Sequence, residues 1–501
     1  MMYDSMDAAR IAGYFKGKSI LITGSTGFLG KILVEKILRV QPDANKLYLL
    51  VIDTELFGLL RKKHGSGFEQ FIQEKVVALA GDIVYENLGL EAPMLKDLAK
   101  EIDVIVNIAA TTNFYERYDV SLDVNVMGVK HLCQFAKKCP RLKMFMQVST
   151  AYVCGDRDER EGRLILEKPI KPGESLREGI YLDVDAELRL VGEAKKELKL
   201  MNATGGDDAN TTTTTERKAM KELGLRRARH FGWSNTYVFT KAMGEMLLLE
   251  QHRGGGGMPP VVIVRPSIIT SVLADPLPGW MQGVRTIDTL IIGYAKQNLS
   301  CFLGDLRTVV DVIPGDMVVN AMIAAMVEHS EAKQLGALEE VPPVYHVTSS
   351  LRNPVCYSVL YESGRRHFYK NPRVGKDGKV IPTREMRFFS TIASFHLYMM
   401  LTFKLPLEIL HLVNLLLCGF FSRLYNDLNR KYKFVMHLVD VYGPFAFFNG
   451  RFDDMNLERL RLTMAMKTPE DHMFNFDPKT IDWDDYFTRI HIPGVLKYLC
   501  K

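Results

Sequence analysis

The chain has 501 residues, room for more than one domain at roughly 100–200 residues each. Its hydrophobic share of 47%, charged share of 25% and net charge of +5 are those of an ordinary folded protein and give no reason to invoke nucleic acid. Seven cysteines, odd in number and none in C-x-x-C, argue for a reducing compartment and against a disulfide framework or a structural zinc site, so no metal is expected.

The opening "MMYDSMDAARIAGYFKGK" has no apolar core and is not rich in arginine and serine, so neither a secretory signal nor a transit peptide is expected; the closing "YLCK" carries no prenylation box. Lys18–Ile22 is a short apolar run that reads as a buried parallel strand. Phe28–Val40 follows with apolar residues at helical spacing. Further strands are expected over Lys46–Val51, Lys75–Ile83, Val104–Ala110, Lys143–Thr150 and Pro260–Ile269, with helices between most of them. Alternating strand and helix predicts an α/β fold, a doubly wound parallel sheet with right-handed crossovers. The low-complexity stretch Thr204–Glu216 reads as a mobile surface insertion.

Composition shifts after about residue 360, dividing the chain into a dinucleotide-binding part (1–360) and a mainly helical carboxyl-terminal part (361–501). A basic, turn-rich segment (Arg365–Arg387) precedes two apolar runs, Phe388–Phe403 and Leu405–Phe421, each shorter than the ~20 residues a spanning helix needs. Three readings stay open for 388–421: two packed helices, a hairpin lying in a membrane surface, or a two-pass span.

Gly24, Gly27 and Gly30 form G-x-x-G-x-x-G between a strand and a helix. In such a turn the first glycine allows the tight bend, the second lets backbone approach a pyrophosphate, and the third lets helix and strand close up. With Thr26, Phe28 and Leu29 these are the expected cofactor-binding residues, the helix N-terminus offering free N–H groups to phosphate. The spacing resembles the extended short-chain dehydrogenase/reductase group. That resemblance implies Asp82 and Ile83 near the adenine, Asn107, Ala109 and Ala110 beside the ribose, Asn125 on the next helix, and Pro266 and Ser267 after the sixth strand.

Tyr237 and Lys241 stand one helical turn apart and share a face. A neighbouring ammonium lowers a phenol from its reference value near 10, so the pair predicts a general acid toward a developing alkoxide. Thr150, closing the fifth strand, can donate a second hydrogen bond to the same oxygen; Ser149 is the alternative, since neighbouring strand residues face opposite ways.

The stretches "TGSTGFLGK", "NIAATTNFYERYDVSLDVNVMG", "QVSTAYVCG", "YVFTKAMGE", "VVIVRPSII" and the ending "FNFDPKTIDWDDYF"…"HIPGVLKY" together resemble the plant-type alcohol-forming fatty acyl-CoA reductases over nearly the whole chain. The resemblance implies reduction of long- or very-long-chain acyl-CoA to a primary alcohol by two NADPH, for wax- or cuticle-type lipids. It implies Tyr237 and Thr150 on the oxyanion, Lys241 reaching the ribose, and work at an endoplasmic reticulum membrane, or in a plastid. An aldehyde-forming reductase and a non-catalytic acyl-binding relative are the alternatives. One region departs from the pattern. Ile52 stands where the family places an arginine suited to a 2′-phosphate, and the crossover after it is shortened. Asp53 lies about 20 residues past Gly30, where an acidic residue bonds the ribose 2′-hydroxyl and favours NADH. Arg61, Lys62 and Lys63 are a substitute charge or a solvated helix face.

Overall fold

The computed structural model describes residues 6–49, 56–155, 163–205, 209–253, 258–332, 341–374 and 378–500. Seven parallel strands form the central sheet: β1 (Ser19–Thr23), β2 (Lys46–Leu49), β3 (Val76–Ala78), β4 (Val104–Asn107), β5 (Met144–Val148), β6 (Val261–Pro266) and β7 (Val344–Val347). Their order is β7-β6-β5-β4-β1-β2-β3. Every residue of β1, β4, β5 and β6 is buried, which is why these strands read as unbroken apolar runs. Alternate side chains feed two cores: Ile20 and Ile22 enter one face, Leu21 and Ile105 the other. The order reverses between β1 and β4, and a ligand crevice opens at the carboxyl ends of strands at such a point.

Several expectations are corrected. β3 stops at Ala78, so Gly81–Ile83 belong to the turn beyond it. β6 stops at Pro266; Ile268–Thr270 leaves the sheet and pairs with Val312–Pro314. β7 was not expected at all. The threonine run lies in a helix, Ala209–Phe231, whose carboxyl-terminal half is held by the buried Met220, Leu223 and Phe231; that packing outweighs the weak helix preference of threonine. Residues 50–55, and with them Ile52 and Asp53, lie outside the described residues. The shortened crossover nevertheless delivers β3 parallel to β2 through helices Gly58–His64 and Phe68–Lys75.

Six helices matter to the site and to the protein surface near it: α1 (Phe28–Val40), α2 (Thr236–Arg253), α3 (Thr286–Ala295), α4 (Ile392–Leu416), α5 (Ser422–Ala446) and α6 (Ile492–Leu499). α4 runs unbroken through Lys404, with a π-turn over Met400–Lys404 just before Pro406. The hairpin bend therefore comes after Leu416 and joins α4 to α5, rather than joining the two apolar runs. Cys418 and Gly419 take positive φ there, and the Asn414 side chain accepts from Phe421 N at 2.8 Å.

The two parts of the chain interleave. Arg451–Phe452 pairs with Leu164–Ile165, Arg387–Phe389 pairs with Cys301–Leu303, and Met6 bridges Met464.

Candidate active site

The glycine turn follows β1 directly. Gly24 has φ +69°, and a Cβ there would lie 2.6 Å from Ala109 N; a Cβ on Gly30 would lie 2.4 Å from Gly24 O. Neither position accepts a side chain without moving backbone. Gly27 is the N-cap of α1, and its N–H donates to Gly24 O at 2.9 Å. A groove of about 610 Å³ opens above this turn, lined by Gly24, Thr26, Gly27, Phe28 and Leu29. Asp82, Ile83, Ala109, Ala110, Tyr237 and Lys241 line it too.

Gly30, Asn107 and Asn125 do not line the groove. Gly30 serves close packing. Asn107 lies beneath the turn, accepting from Thr23 Oγ1 at 2.6 Å and donating to Gln147 Oε1 at 2.9 Å, which ties β1, β4 and β5 together. Asn125 sits in a π-turn (Asp123–Met127), accepts from Thr111 N at 3.2 Å and donates to Thr240 Oγ1 at 2.9 Å. It joins the loop after β4 to the tyrosine-bearing helix. Both asparagines therefore support the groove rather than line it. Arg61 lies over the Phe68 ring, and Lys63 donates to Arg39 O at 3.0 Å, so these two cations are engaged elsewhere.

A second cavity, about 390 Å³, adjoins the groove. It is lined by Ser149, Thr150, Tyr237, Pro266 and Ser267, and by an aromatic wall of Phe114, Tyr152, Tyr442 and Phe445. Thr112, Ser149, Tyr237, Ile269, Val284 and Arg285 line both spaces, so Tyr237 stands at their junction. Ser149 and Thr150 lie past the end of β5, where strict alternation lapses, and both reach the second cavity. Thr150 Oγ1 donates to Pro266 O over a long 3.4 Å, while the buried Ser149 Oγ has no hydrogen-bond partner among the described residues.

α2 begins where Asn235 accepts from Val238 N at 3.0 Å, which puts Tyr237 in the first turn. The Tyr237 ring stacks on Phe114 at 5.8 Å. Lys241 is 3% exposed and donates to Val148 O at 2.7 Å. Burial pushes Lys241 down to about 8 and Tyr237 up to about 12. The expected lowering of the phenol by its lysine is thus not met: the ammonium is turned to the strand carbonyl, and burial dominates.

On the same helix face, one turn further, Glu245 forms a fully buried ion pair with Arg265 of β6. Arg265 Nε donates to Glu245 Oε1 at 2.9 Å, and Nη1 donates to Lys168 O at 2.9 Å. This pair fixes α2 against the sheet.

Two features were missed in the sequence. α5 supplies His437, Val441, Tyr442 and Phe445 to the second cavity. Arg285, ahead of α3, lies over the Phe28 ring at 4.2 Å. Nothing in the spacing of either segment marks it.

A family profile described as Male sterility protein, of the NAD-binding kind, matches residues 22–322, and a second described as Male sterility protein matches 402–501. The chain is 46% identical to the alcohol-forming fatty acyl-CoA reductase of Simmondsia chinensis, over 98% of both chains. It is 43% identical to fatty acyl-CoA reductase 1 of Arabidopsis thaliana, over 97% of this chain and 98% of that one. It is 40% identical to the chloroplastic fatty acyl-CoA reductase 2 of the same plant, over 98% of this chain and 80% of that one. Among solved structures, the reductase domain of a Mycobacterium tuberculosis nonribosomal peptide synthetase shares the fold at TM-score 0.53 and 17% identity, covering 98% of this chain and 97% of that one.

Proposed function

The chain belongs to the fatty acyl-CoA reductase family, and from that premise we propose that it reduces a long-chain acyl-CoA through a retained aldehyde to the primary alcohol, with NADPH as the reductant. The observation that carries this reading is the junction: Tyr237 lines the dinucleotide groove and the aromatic cavity at once. The groove suits a nicotinamide dinucleotide, being built on a turn only glycine can form and lined by Arg285, whose buried Nη1 has no hydrogen-bond partner among the described residues. When bound, the cofactor supplies hydride.

The chain's own residues do the rest. Thr150 and Tyr237 donate hydrogen bonds to the substrate carbonyl oxygen, and Ser149 offers a further hydroxyl at the same end of the cavity. Reduction requires a proton donor, and a phenol pushed up to about 12 keeps its proton at neutral pH. Lys241, at about 8, is still mainly charged there and stabilises the phenolate once Tyr237 has given its proton to the alkoxide. The carbon–sulfur bond breaks after the first reduction and releases coenzyme A thiolate. The aromatic wall of Phe114, Tyr152, Tyr442 and Phe445 excludes water from the aldehyde until the second.

The second part of this proposal concerns place. α4 and the bend after it expose Leu412 (61%), Leu416 (82%) and Phe420 (81%), while Phe395, Met399 and Leu407 of α4 are buried against the protein. α4, 25 residues and by length and composition alone long and apolar enough to cross a bilayer, is mostly exposed; held to the protein at Phe395, Met399 and Leu407 and followed by Arg423, Arg430, Lys431 and Lys433, it suits the surface of an anionic bilayer better than its interior. The cytosolic face of the endoplasmic reticulum is the proposed site, with the plastid as the alternative.

The test is turnover of a C16–C30 acyl-CoA panel with NADPH and NADH supplied separately, with the products extracted. Alcohol with NADPH supports the proposal. Alcohol with NADH alone credits Asp53, and aldehyde alone places the enzyme with the reductases that stop halfway. Tyr237→Phe should lose at least about a hundredfold in turnover; near-normal turnover would remove Tyr237 from its role.

A further inference from the structure

The carboxyl-terminal "HIPG" segment, His491–Gly494, touches neither cavity yet is tied to a residue that lines both. His491 is fully buried. Its Nδ1 is hydrogen-bonded to Ser271 Oγ at 3.0 Å, and its Nε2 approaches Asp288 Oδ1 to 3.3 Å without hydrogen-bond geometry. Asp288 Oδ2 in turn accepts the backbone N–H of Arg285 at 3.0 Å. Ser271, His491 and Asp288 form a serine–histidine–carboxylate row, but each is at most 1% exposed and none lines a cavity, so the row cannot meet a substrate. It holds a loop. The loop and α6 also meet backbone to backbone: a Cβ on Gly494 would lie 2.1 Å from Gly279 O.

Arg285 at the end of this chain is unusual. Its guanidinium lies over Phe28, the first residue of α1, beside the phosphate-cradling turn. Nη2 donates to Gln282 O at 2.9 Å, while Nη1 is buried without a hydrogen-bond partner among the described residues. A buried cation donor left unpaired costs free energy until an anion meets it. The anion a glycine turn and helix N-terminus gather is a pyrophosphate diester.

We propose that Arg285 clamps the pyrophosphate of the dinucleotide, and that His491, through Asp288, is the positioning residue that holds it there. This rests on the reductase reading. Coenzyme A carries the same pyrophosphate chemistry, but the contact with Phe28 places the guanidinium on the dinucleotide side.

The test is direct binding, by calorimetry on the full chain, of NADPH, of coenzyme A and of reduced nicotinamide riboside, which carries no phosphate. Arg285→Gln, on a cavity wall, should weaken NADPH by roughly tenfold to a hundredfold. Riboside and coenzyme A binding should stay within twofold. His491→Gln should weaken NADPH in the same selective way and add little on top of Arg285→Gln, because both act on one contact. If Arg285→Gln leaves NADPH unchanged, or weakens only coenzyme A, the clamp is refuted. If His491→Gln weakens NADPH and the riboside alike, or its effect is additive with that of Arg285→Gln, its positioning role is refuted. A parent protein that binds no NADPH would take down the reductase reading as well.

Discussion

Replacing Glu245 by Gln should unsettle both the stability and the pH response of this enzyme. The Glu245 carboxylate and the Arg265 guanidinium are each 0% exposed. Across the 2.9 Å contact the Coulomb attraction is about 6 kcal/mol at an effective dielectric near 20. Desolvating the two ions offsets most of that, so the measurable quantity is the cost of stranding Arg265. A buried pair broken on one side costs about 3–5 kcal/mol. Lys168 O at 2.9 Å and His346 Nε2 at 3.3 Å still receive the guanidinium, which places the expectation near about 3 kcal/mol. Chemical denaturation in mild detergent, followed through the three tryptophans, reads it. The double replacement Glu245→Met with Arg265→Met should be more stable than the single one, since it leaves no charge behind. Glu245 also holds the Lys241 ammonium up against burial. Without it Lys241 falls further and loses its proton at lower pH, so the alkaline limb of turnover moves to the acid side. A loss under about 1 kcal/mol, or an unmoved limb, would refute the account.

Lys241 itself should cost stability. Burial lowers it from 10.5 to about 8, so the folded protein binds fewer protons than the unfolded chain between those values, and stability rises with pH across that window. Lys241→Met should therefore be more stable than the parent at pH 7, by no more than about 3 kcal/mol, and should lose the alkaline rise together with its turnover; lower stability at pH 7 would contradict this. On the apolar face, Leu412→Asp with Leu416→Asp should cut cosedimentation with anionic vesicles by at least about tenfold, since each exposed leucine contributes about 1.5–3 kcal/mol when buried. Undiminished cosedimentation would mean that this face does not meet lipid.

The sheet was legible because β1, β4, β5 and β6 are buried throughout, and the glycine turn because it has no freedom of side chain. β7 escaped notice because "VYHV" carries a histidine. His346 is buried with Nδ1 donating to Asp453 O at 2.9 Å and Nε2 accepting from Arg265 Nη1 at 3.3 Å, partners more than eighty residues away in the chain. Asn107 and Asn125 show the limit of residue type: an amide beside a groove and an amide beneath it look alike until register and a π-turn place them. The bend after Leu416 was missed because its signals, Asn414 and Gly419, sit inside an apolar run. Arg285 gains its meaning only when a loop folds over Phe28, and α5 only when its last three turns roof the cavity.

The bridge between Met6 and Met464 also sets a schedule. A ribosome adding about 5–20 residues per second makes the second of these partners about 20 to 90 seconds after the first. For that interval Met6, Ile11 and Phe15, all fully buried in the finished protein, wait without the segment that completes their surroundings. The strand pair joining Arg451–Phe452 to Leu164–Ile165 waits similarly. The nascent chain carries these apolar side chains uncovered through that interval, and loss of the segment around Met464 would leave Met6, Ile11 and Phe15 without it.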